Sequence, residues 1–158
     1  MVEIGDDLEA RIKGLTFDNG HGRQLAIAEI AALHPGLARL MPEIGNRIWK
    51  LYYAAKAENW TLARFQLKEA KKLLELCAVT RPKYEENLGK YIEKRVKPMM
   101  AALEAEDFAR FDQELQRAIK EANAYHKLYD KPFIHWKLPD SPPPDLDLTP
   151  LGAKTGQI

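Results

Sequence analysis

From about residue 37 onward, apolar positions recur every three or four residues, the spacing of helices that each bury one face. Ile44, Ile48, Leu51, Tyr52 and Ala55 share a face and predict a first long helix from Leu37 or Pro42 to Ala57. Pro42 suits a first turn, where its missing N–H is not needed. Leu62, Phe65, Ala70, Leu73, Leu74 and Cys77 predict a second helix over 60–79, with Asn59 as its N-cap. Tyr84, Leu88, Tyr91, Ile92, Val96, Met99, Met100 and Leu103 predict a third over 83–105, which Pro98 must bend or split. Phe108, Phe111, Leu115, Ala118, Ala122, Tyr125 and Tyr129 predict a fourth over 108–129, behind Asp107 as N-cap.

Connections of a few residues force consecutive helices to lie antiparallel. The expected fold is therefore all-α: a four-helix antiparallel up-down bundle over 37–130, with extra short N-terminal helices and an extended Pro-rich C-terminal tail. Residues 1–36 carry the weakest pattern. Leu8, Ile12 and Leu15 hint at helical turns, Asp18-Asn19-Gly20 reads as a turn, and 24–33 reads as a short helix ended by His34-Pro35-Gly36. No strand-like alternation of useful length is expected. Over 131–158 the character changes, because Pro132, Pro139, Pro142, Pro143, Pro144 and Pro150 exclude a helix. Phe133, Ile134, Trp136, Leu138, Leu146 and Leu148 make the same stretch too apolar for an idle tail. It is expected to lie along the bundle or to dock on a partner.

Composition narrows the function classes. The 158 residues are 46% hydrophobic and 30% charged, as in one globular domain. The net charge of +1 gives no global field for nucleic acid or an anionic membrane. Lys90, Lys94, Arg95 and Lys97 read as a solvated helix face. No run of about 18 apolar residues occurs, so no spanning helix is expected. An acidic start without an apolar run predicts no export signal and a cytoplasmic chain by default, although a periplasmic mature chain would look the same.

Chemistry-bearing motifs are scarce. There is no glycine-rich phosphate loop, no G-x-S-x-G and no H-E-x-x-H. The residue three before His126 is Asn123, so a carboxylate-bridged di-iron bundle is not expected. Cys77 sits on an apolar stripe and reads as a small core residue. Trp49 reads as bundle packing and Trp60 as a staple over an inter-helix turn. Trp136 reads either as docking on the bundle or as a ligand or partner contact.

One constellation stands out. Asn59-Trp60 leads into Leu62-Ala63-Arg64-Phe65-Gln66-Leu67; Pro98 to Leu103 is followed by Glu106-Asp107 and Phe111; then come Ala122-Asn123-Ala124-Tyr125-His126, Phe133-Ile134 and Pro139. In this order, Trp49 to Pro139 resembles a family of small bacterial helical proteins related to c-type cytochromes, with a C-N-A-C-H motif near the end of the last helix. In that family the resemblance implies covalent haem on the two cysteines, with the histidine as proximal iron ligand. Here Ala122 and Tyr125 stand in place of both cysteines, so thioether attachment is excluded and His126 alone remains of the ligand set. No cofactor is therefore expected.

The expected role is a non-catalytic binding module, a haem-less relative that takes a small apolar molecule near His126. Tyr125, Tyr129, Phe111, Trp136 and His135 are the other ligand-binding candidates. An accessory subunit using 131–158 as a docking arm is the alternative, and a homodimer is compatible with both. Non-covalent haem on His126, with Met99, Met100 or His135 as second ligand, is a further alternative. An enzyme using His126 as general base ranks last, since no partner group accompanies it. No metal ligand set beyond a histidine pair, His126 and His135, can be named.

Overall fold

The computed structural model describes residues 6–150 and 152; the rest of the segment 131–158 lies outside the described residues. The chain is mostly helical and divides into two compact units between Pro35 and Gly36. Among the described residues no helix is long and apolar enough to cross a membrane.

The first unit holds α1 (Asp6–Gly14), β1 (Thr16–Asp18), β2 (Gln24–Ala26) and α2 (Ile27–Ala32). The two strands form an antiparallel hairpin with Phe17 opposite Leu25, where the sequence pattern predicts only a turn and a helix. Each strand is three residues long, too short to show an alternation. The loop supplies the reason for the pairing. Asp18 and Asn19 side chains accept backbone N–H groups of Gly20, His21 and Arg23, and Gly20 and Gly22 take positive φ. The Glu29 carboxylate accepts from Ala26 N and starts α2 three residues later than expected.

The second unit contains α3 (Leu37–Lys56), α4 (Trp60–Thr80), a 3-10 turn (Pro82–Tyr84), α5 (Glu85–Tyr91), α6 (Lys97–Glu104) and α7 (Phe108–Leu128). α3 begins at Leu37, so Pro42 lies inside it. Between α5 and α6, Ile92–Val96 winds as a π-helix, and Lys97 N donates five residues back to Ile92 O. Pro98 explains this widening: its ring cannot donate to residue 94 and would crowd that carbonyl in a regular α-helix. The third rod thus stays continuous while changing pitch.

α3 packs on α4, α4 on the α5–α6 rod, the rod on α7, and α7 on α3. Leu51, Leu67, Met99, Leu103, Phe111 and Leu115 are fully buried between them. Each contributes about 1.5–3 kcal/mol of burial. Cys77 is fully buried too, and burial pushes its thiol up. The two inter-helix turns share one chemistry. Glu58 and Glu106 adopt positive φ, Asn59 N and Asp107 N donate back to Ala54 O and Ala102 O, and the Asn59 and Asp107 side chains then cap the next helix.

The described residues after α7 form no regular element but belong to this unit, and Pro139 and Ser141 are hydrogen-bonded to α3.

Candidate functional site

The last turn of α7 is built by the same capping device as the earlier helix ends. Asp130 takes φ 57°, and Lys131 N donates to His126 O at 2.7 Å. Ile134 N then donates to Lys131 O at 2.9 Å, folding the tail back over the helix end. This return brings the Ile134 carbonyl within 3.0 Å of His126 Nδ1. A carbonyl can only accept, so Nδ1 carries the hydrogen. In the neutral ring Nε2 is then left with its lone pair.

Asn123, one turn earlier, is buried and grips the tail twice. Its Nδ2 donates to Trp136 O at 2.8 Å, and its Oδ1 accepts from Trp136 N at 2.9 Å. The two bonds satisfy a main chain that would otherwise be desolvated on the helix. The Trp136 indole lies against Gly45 of α3, where a Cβ would stand 2.7 Å from Nε1. Only glycine leaves room for that ring.

Tyrosines fill the space beside α7. Tyr129 packs edge-on against Tyr84, with ring centroids 4.6 Å apart, and its hydroxyl accepts from Asn87 Nδ2 at 2.6 Å. Tyr125 packs edge-on against Tyr91 and donates to Glu121 at 3.4 Å. Tyr91 donates to Ala118 O at 3.2 Å. Burial first, and the Glu121 charge second, push the Tyr91 and Tyr125 hydroxyls up, so both stay protonated donors at neutral pH. Arg95 pairs with the same Glu121 across the helix contact.

Five of the six residues singled out in the sequence thus gather at one end of α7: Tyr125 and His126 on the helix, Tyr129 at its C-cap, with Trp136 and exposed His135 on the returning tail. Phe111 does not join them. It is fully buried beside Phe108, fifteen residues up α7, roughly 22 Å away along the axis. Met99 is also remote. The register fixed by Asn87–Tyr129 and Arg95–Glu121 puts it about two and a half turns from His126, in the core.

Among the described residues, one shallow concavity runs along α4 from Phe65 to Glu75, and another, bounded by Arg95, Arg117, Lys120, Glu121 and Ala124, adjoins the Tyr125–Glu121 contact. Among the described residues no group of three or more His, Cys, Asp or Glu is placed to hold a metal ion. A covalently attached haem does not fit the residues present, because Ala122 and Tyr125 offer no thiol and the Tyr125 ring is packed against Tyr91.

The tail's receivers on α3 are what the sequence pattern hides. Trp49, half-buried, donates to Ser141 O rather than packing in the bundle interior, and Tyr53 donates to Pro139 O. Gly45, Trp49 and Tyr53 recur every four residues, a second helix face that the apolar stripe of α3 overshadows. No family model, no curated protein and no solved structure matches this chain.

Proposed function

We propose that the chain is a non-catalytic helical binding module, a haem-less relative of c-type cytochrome-like bundles, with α3, α4, the α5–α6 rod and α7 running up, down, up and down. One observation carries this reading: Asn123 and His126, the polar remnant of the C-N-A-C-H pattern, both hold the chain's own tail. They have a structural use that needs no haem. The hydrogen on Nδ1 also leaves Nε2 as an acceptor at the end of α7 that carries Tyr125 and Tyr129. That combination suits a small aromatic or apolar ligand carrying one donor group. A general base would need a second positioned group, and among the described residues no hydrogen bond to Nε2 supplies one.

The test is an absorption spectrum with and without hemin, followed by thermal melts with indole and 2-naphthol. Indifference to hemin, together with a rise in Tm that His126→Ala removes, supports the binding module. A shifted Soret band lost in His126→Ala replaces it with non-covalent haem binding. The Nδ1–H···O=C bond favours this second reading, since the same contact orients histidines that ligate metal through Nε2.

A further inference from the structure

The tail is seated on α3 largely through its main chain. Trp49 Nε1 donates to Ser141 O at 2.7 Å, Tyr53 OH to Pro139 O at 3.0 Å, and Asn59 Nδ2 to Thr149 O at 3.1 Å. Pro139, Pro142, Pro143 and Pro144 preset an extended backbone whose carbonyls stand out for capture, and Pro143 is buried. Aromatic-lined grooves take proline-rich segments by this chemistry, with ring-borne donors reading carbonyls. Charge adds direction: Lys50 Nζ meets Asp145 at 2.7 Å.

None of these bonds requires that receptor and tail belong to one chain. We propose that α3 also receives residues 139–149 of a second copy, so that two chains exchange tails about Lys137–Leu138. Each hydrogen bond and ion pair broken within a chain is remade between chains, so concentration and the pivot decide the balance. The pivot is well placed. Asn123 fixes Trp136 to α7, the first bond to α3 is at Pro139, and between them stand only exposed Lys137 and half-buried Leu138. Beside the pivot, Leu128, Phe133 and Ile134 are 63%, 77% and 45% exposed. A two-fold axis through the pivots brings the two sets together and covers them, which the single chain does not do.

The experiment uses two full-length charge-reversed variants, Lys50→Asp and Asp145→Lys. Each alone sets like charges against each other at the α3–tail contact, whether closed or exchanged with itself. Mixed one to one, only the exchanged heterodimer restores an opposite-charge pair. Size exclusion with light scattering is expected to show a species at twice the 18.0 kDa chain mass, several-fold more abundant in the mixture than in either component. Adding Phe133→Asp to both variants is expected to lower it. A mixture that runs at the chain mass while circular dichroism shows both variants folded would overturn the proposal. Equal dimer in the mixture and in each variant alone would overturn it too, because association would then use another surface.

Discussion

Glu58 and Glu106 occupy backbone positions that glycine fills at little cost. Their φ values are 59° and 55°, in the left-handed region, at the ends of α3 and α6. The strain is about 1–2 kcal/mol per residue, and glycine's extra freedom in the unfolded chain returns about half of it. Glu58→Gly and Glu106→Gly should therefore each raise stability by about 0.5–1 kcal/mol, seen as a rise of a few degrees in Tm. Asn123 lies at the opposite extreme. Asn123→Ala leaves the Trp136 N–H and C=O without partners, at about 1–3 kcal/mol for each group that stays buried. The tail avoids that cost by lifting away. Limited proteolysis should therefore cut after residue 131 many-fold faster, while far-ultraviolet circular dichroism stays unchanged. Gly45→Ala should have the same phenotype by a steric route, since the new methyl meets the indole of Trp136.

At the scale of elements, the long helices were legible because their signals are local. Asn59 and Asp107 cap α4 and α7, and the core stripes run along one face of each helix. The π-helix was half legible: Pro98 announces a defect, but its form depends on where the rod finds carbonyls to bond. The hairpin was not legible, since three-residue strands lack periodicity and depend on side chains of the loop. Of the candidate site, His126 and Trp136 were legible by chemistry, while the partners on α3 that hold the tail lie 86–95 positions upstream and no spacing rule reaches them. The tail itself responds to acid with a sign that can be worked out. Its Asp145 carboxyl is held below the ordinary aspartate range, first by the hydrogen bond from Lys50. A depressed folded-state pKa gives stability that is present above the unfolded value and lost as pH falls through the folded one. Tail proteolysis by pepsin should thus rise as pH drops below the ordinary aspartate range, and the rise should be smaller in Lys50→Ala. The effect is small, because Asp145 is exposed and water screens the pair.

For the molecule as a whole, two depths of opening should be separable with one built-in probe. The tail is tied to α3 and α7 by a handful of hydrogen bonds and one screened ion pair, with Trp136 against Gly45 and Leu148 against the core as its apolar contacts, so it is expected to open by local separation. Cys77 sits at 0% exposure between α4 and its neighbours, and burial keeps its thiol protonated. Its reaction with a disulfide reagent needs both solvent access and a thiolate. Cys77 belongs to the cluster of buried helical residues, so movement of the tail alone is expected to supply neither. Modification should therefore wait for opening of that core, whose cost is on the order of 5–15 kcal/mol for an ordinary domain. Native protein should consume the aromatic disulfide 5,5′-dithiobis(2-nitrobenzoate) at least a thousandfold more slowly than denatured protein, at the same rate in Asn123→Ala and in the parent. A rate that accelerates in step with tail proteolysis would mean that the tail stabilises the core beneath it. In that case tail exchange between two copies would have to open the core rather than simply re-pair two straps. Matching the thiol rate against the proteolysis rate in one variant thus decides whether the tail is a removable strap or a structural wall of the fold.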